Sequence, residues 1–312
     1  MSELPVISFV SPVYKAENIL PELVAEINKV AIDLAVTFEI VLVDDRSPDN
    51  CWQVMQVLAK ENENIKCIRL SKNFGQHPAI MAGLSQVKGE WIVVLDCDLQ
   101  DQPKEVSKLY YKALDGFDVV FARRKLRKDS FYKKMTSKAF SLVYGYFTDT
   151  KFDNTIANFG IYNSKVIKEI VTLNDYIKSF PLFVKWVGFK NTVVEVEHSE
   201  RYVGETSYTF KKLLSLAFNT IISFSNKPLK LFVKFGIIIS LLAFCFGCYI
   251  IYEYLIGRIT VSGYSSLIVS IWFLSGIIIT IVGITGIYIG KIFDQVKNRP
   301  SFIIDEILKR NV

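Results

Sequence analysis

The hydrophobic positions in the first part of the chain form short continuous runs, separated by segments with apolar residues at helical spacing. The runs VISFVSPVY, FEIVLVDD and EWIVVLDCD lack the regular polar alternation of a sheet with one solvated face. Continuous hydrophobic strands that alternate with helices are typical of a mainly parallel sheet covered on both faces. The pattern therefore predicts a doubly wound α/β domain whose ligands bind at the carboxyl ends of the strands.

Two longer apolar runs follow, at 235–256 and 267–290. The first contains one charged residue, Glu253, and the second contains none. Each has about the twenty residues that a helix needs to cross a hydrocarbon core roughly 30 Å thick. We therefore predict two transmembrane helices within 231–290. The alternative is a pair of buried core helices, but those are usually shorter and carry a polar stripe.

The basic residues around these runs predict their orientation. Only Arg258 lies in the intervening loop, whereas basic residues flank the pair on both sides: Lys227, Lys230, Lys234, Lys291, Lys297 and Arg299. The positive-inside rule then places both ends of the hairpin in the cytoplasm. The N-terminal MSELPVISFV has no basic leader before a long apolar core, so we expect no cleaved signal peptide.

These observations predict four regions along the chain. Residues 1–207 are expected to form a cytoplasmic domain, 231–290 the membrane hairpin and 291–312 a cytoplasmic tail. Residues 208–230 combine lysines with a strongly apolar face, which favours an amphipathic juxtamembrane helix. A buried helix of the first domain is the alternative for that segment.

Composition and charge sharpen the choice of partner. The formal net charge of +6 suits either nucleic acid or an anionic leaflet, and the apolar helices favour the leaflet, so we expect no nucleic acid partner. The five cysteines are expected to be small apolar fillers in a reducing compartment. This includes Cys245 and Cys248, whose C-x-x-C spacing falls inside an apolar run. His77 and His198, the only histidines, are expected to be structural.

Acidic residues follow two of the predicted strands. Asp44 and Asp45 end one, and Asp96 and Asp98 end another, with Gln100 two positions further on. In an extended segment alternate side chains share a face. Asp96, Asp98 and Gln100 could therefore converge on Mg²⁺ or Mn²⁺, which prefer oxygen ligands. Such an ion assists a departing diphosphate as a Lewis acid. The alternative for each carboxylate is a helix cap or a turn.

Five motifs, in this order, resemble the family 2 glycosyltransferases that load sugars onto polyprenyl phosphate. They read SPVYKAEN, VDDRSPD, NFGQHPAIMAG, DCDLQDQP and RYVGETSYTFKKLL. The group includes dolichyl-phosphate mannose synthases and bacterial bactoprenol glucosyltransferases of O-antigen modification. The resemblance covers nearly the whole chain, including the hairpin, and implies a GT-A fold for the first domain.

The resemblance also implies a role for each matching residue. The donor would be bound by Pro12, Tyr14, Glu17, Asp44, Asp45, Asp96, Asp98, Arg201 and Ser207. The metal, Mg²⁺ or Mn²⁺, would be held by Asp96, Asp98 and Gln100. The acceptor phosphate would be gripped by Arg123, Arg124 and Arg127, whose guanidinium forks match phosphate oxygens; a solvated basic face is the alternative. The residues expected to be catalytic are Asp98, Asn158, Arg124 and Arg127.

The sequence departs from the family pattern at three places. Arg46 replaces a Gly common in VDDGS, so the turn must tolerate a side chain or use it. Tyr208 stands where a Lys is expected, which removes one candidate cation for the diphosphate. Asn158 stands where the presumed catalytic Asp usually lies. An amide cannot take a proton, but a polyprenyl phosphate oxygen is already anionic and needs alignment rather than a base. The alternative for Asn158 is a backbone-capping role at a strand start.

The expected function is the metal-dependent transfer of a monosaccharide from a nucleotide sugar to undecaprenyl phosphate, with inversion. The expected donor is a UDP-sugar. It would serve cell-surface polysaccharide or O-antigen modification, at the bacterial inner membrane with the catalytic domain in the cytoplasm. Relatives imply a homotetramer. Two alternatives stay open: a membrane glycosyltransferase that extends a lipid-linked saccharide at a hydroxyl acceptor, and a non-catalytic scaffold that has kept the fold.

Overall fold

The computed structural model describes residues 4–124, 145, 156–173, 175, 179–197, 225, 227–256 and 263–309. The chain divides into two compact units. The first consists of Met1–Ser141, Lys151–Ser207 and Asn298–Val312, and the second of Leu142–Thr150 and Tyr208–Lys297.

Strands and helices alternate along the first unit. In chain order the elements are β1 (Ile7–Val13), α1 (Leu20–Asp33), β2 (Phe38–Asp44), α2 (Cys51–Glu61), β3 (Ile65–Leu70), α3 (Gln76–Leu84), β4 (Trp91–Val94), a 3₁₀ turn (Pro103–Glu105), α4 (Val106–Leu114), β5 (Val119–Arg124), β6 (Ile156–Asn163), α5 (Ser164–Thr172), α6 (Phe180–Val187), β7 (Asn191–Val196) and β8 (Ile304–Lys309). The alternation predicted from the hydrophobic runs is confirmed.

The eight strands form one sheet in the order β7-β5-β6-β4-β1-β2-β3-β8. Pairing is parallel between β1 and β2, β1 and β4, β2 and β3, and β5 and β7. The other neighbours, β3 with β8, β4 with β6, and β5 with β6, are antiparallel. The fold is therefore the predicted α/β class, with a parallel centre and antiparallel additions.

The parallel centre owes its continuous hydrophobic runs to burial on both faces. All seven residues of β1 are buried, and so are all four of β4. On one face, α1 packs Leu20, Leu23 and Ile27 into the main core. On the other, a Cβ at Gly83 of α3 would lie 2.5 Å from Val10 Cγ1, so glycine is what allows that helix to approach β1 closely.

Strand β8 is a finding that the predicted regions did not contain. Residues 291–312 were expected to form a tail, whereas Ile304–Lys309 pairs with β3 in an antiparallel ladder that contains one irregularity. Without β8, β3 would be an edge strand with a row of unpaired backbone groups. Leu308 packs against the main core and helps to hold the added strand. The chain after Asn298 therefore belongs to the first unit.

Among its described residues, the second unit contains two long helices, α7 (Lys227–Leu255) and α8 (Tyr264–Val296). Two stretches in them, Lys227–Phe246 and Ser270–Val296, are long and apolar enough to cross a membrane by length and composition. Large side chains along them are exposed, for example Trp272 at 77%. Exposed apolar surface on this scale is not that of a soluble core, which supports membrane association. The predicted juxtamembrane helix covered residues 208–230. Residues 208–224 lie outside the described part of the chain, and 227–230 are the first residues of α7.

Candidate active site

The acidic residues singled out in the sequence lie at the carboxyl edge of the parallel strands. Val13 at the end of β1 is level with Asp44 at the end of β2, and the amide of Asp45 donates to the Val13 carbonyl at 3.0 Å. On the other side of β1, the Leu95 amide donates to the Val10 carbonyl at 3.1 Å, just before Asp96. Parallel register thus brings the ends of β1, β2 and β4 to one edge.

Asp44 and Asp45 are enclosed by protein. They are 0% and 3% exposed. Oδ1 of Asp44 accepts from the Ser47 amide at 2.8 Å, and its Oδ2 lies 3.3 Å from Nε of Arg69. Burial raises the pKa of both carboxyl groups; the Ser47 amide and Arg69 oppose this at Asp44, and two backbone amides oppose it at Asp45.

Both carboxylate oxygens of Asp45 bind the start of α3. The amides of Phe74 and Gly75 donate to Oδ1 and Oδ2 at 2.7 and 2.8 Å. Gly75 has φ of 97°, a conformation that favours glycine. Asp45 therefore ties the acidic loop, which we define as residues 44–50, to the loop before α3.

A second set of hydrogen bonds joins the acidic loop to the segment after β1. The Lys15 amide donates to Ser47 Oγ at 2.7 Å, and the Glu17 amide donates to Asp49 Oδ2 at 3.3 Å. In return, the Asn50 amide donates to Glu17 Oε2 at 2.8 Å. Glu17, predicted to bind the donor, thus holds two loops together in this structure.

Asp49 accepts several of these hydrogen bonds. Partial burial opposes its ionisation, but donors from Ser47, Cys51 and Glu17 outweigh that effect and lower the pKa of the Asp49 carboxyl group. Its charge therefore stabilises the folded loop.

The segment from Asp96 to Gln100 is not the extended one on which the predicted ligand set was argued. Strand β4 ends at Val94, Cys97 and Asp98 lie in a turn, and Leu99 has a left-handed φ of 54°. The alternation of an extended strand therefore does not apply here. The turn itself is held by hydrogen bonds: Gln76 Nε2 donates to Asp96 Oδ1 at 2.7 Å, and the Gln100 amide donates to Asp98 Oδ1 at 3.1 Å.

The side chains of this turn suit a divalent ion that shares its coordination with a ligand. Asp96, Asp98 and Gln100 are all partly exposed. Within the part of the chain that the structure describes, no group of three or more His, Cys, Asp or Glu side chains could hold a metal by itself. Two carboxylates fit an Mg²⁺-type ion completed by phosphate oxygens and water rather than a closed protein site.

The pKa of Cys97, which lies between the two aspartates, is affected by burial and by their negative charges. Burial, followed by the charges of Asp96 and Asp98, raises the pKa of its thiol to about 12. The thiol therefore stays protonated near neutral pH, in agreement with the expected role as an apolar filler.

Asn158 lies inside β6 rather than at its start, so the strand-start cap is not its role. Val94, the last residue of β4, pairs with Gly160 of β6, so Asn158 lies two residues beyond the last pair of this antiparallel ladder, at the end where β4 leads into Asp96. Its side chain is partly exposed, and its carbonyl accepts from the buried Tyr162 hydroxyl at 3.3 Å. The amide that replaces the expected carboxylate is thus at the same edge as the acidic turn.

The remaining predicted residues differ in how they are placed. Pro12 is buried, beyond the point where β4 pairs with β1, so its missing N–H leaves no gap in that ladder. Tyr14 is 45% exposed at the same edge. Arg123 lies near the end of β5, partly exposed. The side chain of Arg124 and the whole of Arg127, Arg201 and Ser207 lie outside the described residues, as do Tyr208 and His198.

Four residues of this edge were missed in the sequence. Gln76 binds Asp96, Ser47 and Asp49 join the loops, and Arg69 faces Asp44, with its guanidinium 5.4 Å from the Trp52 ring centre. The sequence SPDN at 47–50 is typical of a turn but does not identify the partners of Ser47 and Asp49. Gln76 falls within the NFGQHPAIMAG motif, which does not indicate its hydrogen bond to Asp96, and no motif marks Arg69.

The sequence profile of Glycosyl transferase family 2 matches residues 8–171. The chain is 36% identical over 300 residues to the glycosyltransferase YkcC of Bacillus subtilis, covering 96% of this chain and 93% of that protein. It is 31% identical to the prophage bactoprenol glucosyl transferase homolog of Escherichia coli, covering 97% and 99%. It is also 31% identical to the undecaprenyl-phosphate 4-deoxy-4-formamido-L-arabinose transferase of Proteus mirabilis, covering 97% and 94%. The profile match and these full-length relatives show that this chain belongs to glycosyl transferase family 2.

Proposed function

We propose that the protein transfers a monosaccharide from a nucleotide sugar to undecaprenyl phosphate, with inversion at the anomeric carbon. The observation that carries the proposal is the acidic turn at Asp96 and Asp98, partly exposed at the carboxyl edge of a parallel sheet, where such folds bind ligands. The names of two full-length relatives, which act on bactoprenol or undecaprenyl phosphate, support the acceptor.

Asp96, Asp98 and Gln100 would hold Mg²⁺ or Mn²⁺ together with the donor diphosphate. The ion, when bound, neutralises negative charge on the departing nucleoside diphosphate. Gln76 donates a hydrogen bond from its side-chain amide to the Asp96 carboxylate at 2.7 Å, and the backbone amide of Gln100 donates one to the Asp98 carboxylate at 3.1 Å. These hydrogen bonds restrict both carboxylates. Ligands that are held in place before binding lose less freedom when the ion and donor arrive.

The nucleotide would lie along the ends of β1 and β2. Tyr14 offers an exposed ring on which a base can stack, and the acidic loop supports the floor of this region. Because Asp44 and Asp45 are enclosed and bound to backbone amides, we assign them to holding the loops in shape, with donor contacts made by neighbouring backbone groups.

The acceptor would approach next to Asn158. An amide there cannot deprotonate a sugar hydroxyl, but it can hydrogen-bond a donor hydroxyl while an anionic phosphate oxygen attacks. Arg123, with Arg124 and Arg127, would bind that phosphate in the forked geometry that guanidinium groups allow. The hydroxyl-acceptor alternative lacks a base at this position.

The setting that we propose is the bacterial inner membrane, with residues 1–207 in the cytoplasm and α7 and α8 spanning the bilayer. The two apolar helices and the lipid named for the relatives support it. Roles in O-antigen or other surface polysaccharide modification and assembly as a homotetramer stay predictions. Mass photometry of the purified protein in lipid nanodiscs would test the assembly.

The test is a donor screen with the full chain in detergent. Undecaprenyl phosphate, Mg²⁺ or Mn²⁺ and a panel of UDP- and GDP-sugars are supplied, and lipid products are identified by mass spectrometry. We expect one lipid-linked monosaccharide, lost when the metal is chelated. No product with any donor would refute the proposal.

Acceptor exchange separates the two enzymatic alternatives. In parallel reactions, undecaprenyl phosphate is replaced by an undecaprenyl diphosphate-linked sugar, which offers only hydroxyl nucleophiles. Product from the second acceptor alone would favour saccharide extension over the proposed reaction. An Asp98→Ala chain that keeps its cellular function would favour the scaffold alternative.

A further inference from the structure

Strand β8 reaches the acidic loop through one pair of side chains. Nη1 of Arg46 lies 2.9 Å from Oδ2 of Asp305, 259 positions later in the chain. Arg46 is also the residue that stands where many family members have glycine. The turn therefore makes use of the Arg46 side chain, which pairs with Asp305 of β8.

The backbone of Arg46 needs such a partner. Its φ is 53°, in the left-handed region that non-glycine residues adopt only when their surroundings hold them. On either side the chain is bound: the Asp45 amide donates to the Val13 carbonyl, and the Ser47 amide donates to Asp44 Oδ1. A rotation at Arg46 would therefore disturb both neighbouring attachments.

The pairing register of β8 explains why Asp305 points to the loop. Arg69 of β3 pairs with Glu306 and Leu70 pairs with Ile304, so Asp305 is an extra residue in a β-bulge. Beyond the bulge, pairing resumes when the Ser71 amide donates to the Ile303 carbonyl at 2.9 Å. Bulges redirect a side chain that regular pairing would keep in the alternation of the strand.

Strand β3 provides a second link to the same loop. Arg69, directly opposite Glu306 in the register, places its Nε 3.3 Å from Oδ2 of Asp44. The acidic loop is thus attached both to β3, through Arg69, and to β8, through Asp305. The first attachment joins directly paired residues of β2 and β3, and β8 covers the other edge of β3.

We propose that β8 positions the acidic loop for the donor nucleotide, with Asp305 and Arg46 as positioning residues. The identity of the ligand rests on the proposed function. Arg46 and Asp305 are 43% and 50% exposed, so their ion pair contributes little to global stability. Its effect lies in the geometry of the loop, so its loss raises the KM for the donor and leaves kcat and the unfolding temperature nearly unchanged.

The first measurement is hydrogen–deuterium exchange on the full chain in detergent without ligand. Asp305→Ala should speed exchange of the amides at 45–47 and 49, while those of β1 keep their rates. The matched control is Glu306→Ala, which removes the same charge one residue away on the same strand. Equal exchange in wild type and Asp305→Ala would overturn the inference.

The second measurement is titration of UDP and of GDP, each with Mg²⁺. Asp305→Ala should weaken the wild type's preferred diphosphate by about threefold to tenfold, as expected for a coupled pair. The exchange of charges in Arg46→Asp with Asp305→Arg should restore binding to within about twofold of wild type. In an Arg46→Gly background, Asp305→Ala should have no further effect.

The outcomes separate this inference from the proposed function. Failure of the charge exchange to restore binding, or an equal loss from Glu306→Ala, would overturn the positioning role even if the wild type makes lipid-linked sugar. A wild type that binds neither diphosphate would instead refute the proposed function and the donor part of this inference. Faster exchange in Asp305→Ala would then still support the structural attachment of β8.

Discussion

At the amino ends of β1, β2 and β3, the charged side chains are enclosed and bound to one another. Glu39 and Lys66 are each 6% exposed, with Oε2 and Nζ 3.8 Å apart. Ser8 Oγ and the Lys88 amide donate to Glu39 Oε1 at 2.7 and 2.6 Å, and Lys66 donates to the Gln86 carbonyl. At the carboxyl ends of the same strands and of β4, acidic residues are divided between enclosed and partly exposed ones.

This difference separates framework from site. Ionised groups buried on folding need partners inside the protein, and the amino-end cluster has them. Asp44 and Asp45 follow the same rule, although they lie at the functional edge. Asp96 and Asp98 keep contact with solvent, which makes them accessible to an incoming divalent cation. An acidic residue at a strand end is therefore informative only once its burial is known.

The largest expected effect comes from breaking the amino-end cluster. Glu39→Ala leaves the Lys66 ammonium group buried without its carboxylate and should lower the free energy of unfolding by about 3–5 kcal/mol. Chemical denaturation followed by fluorescence measures it. Replacing both residues, Glu39→Leu with Lys66→Met, should be much milder. A raised donor KM in folded Glu39→Ala protein would contradict the assignment to framework.

The next effect is on catalysis at the opposite edge. Under the proposed function Asp98 is an anionic ligand of the divalent ion that neutralises the departing diphosphate, so Asp98→Asn should lower kcat by about 100-fold or more. The unfolding temperature should change little, because the side chain is partly exposed. Asp115→Asn is the matched control, since that exposed aspartate pairs only with its helix neighbour Lys112 in the contacts seen here. Equal rates in both variants would remove Asp98 from the reaction.

Asp45 is enclosed like the framework residues but lies at the same edge as the proposed site, so a substitution there tests how the two groups are distinguished. Asp45→Ala leaves the amides of Phe74 and Gly75 without their acceptor and should reduce stability by about 1–3 kcal/mol. Donor KM should rise as well, because the loop before α3 loses its attachment. Unfolding and donor kinetics are measured on the same preparation. Unchanged stability with a raised KM would show that Asp45 contacts the donor directly.

The smallest effect is a change in pH dependence. The pKa of Asp49 is lowered on folding, so its contribution to stability is present above its unfolded value, about 3.9, and is lost as pH falls through the folded value. Asp49→Asn should therefore flatten the loss of stability below about pH 4. The raised pKa values of Asp44 and Asp45 act in the opposite direction, and burial, their main cause, is unchanged in the variant, although the pKa of Asp44 loses the lesser contribution of the Asp49 charge. An unchanged pH profile would contradict the role of Asp49.

Much of the first unit could be predicted because its signals are local. The run WIVV marks β4, and VISFVSPV contains β1, because a strand buried on both faces needs an unbroken apolar sequence. The segment after β4 was misjudged because the turn at Cys97 and the left-handed Leu99 end the alternation that an extended chain would show. The strand β8 was missed because six residues at a chain end pair only with a distant edge.

By itself, the sequence determined the alternation of strands and helices, the two apolar helices and the placing of acidic residues at strand ends. These depend on hydrophobic period and on neighbours a few residues apart. Only the tertiary structure decided which carboxylates are enclosed, that Asn158 lies inside β6 next to the end of β4, and that Arg46 meets Asp305. Burial and pairing are set by residues brought together from distant positions, and no local pattern records those neighbours.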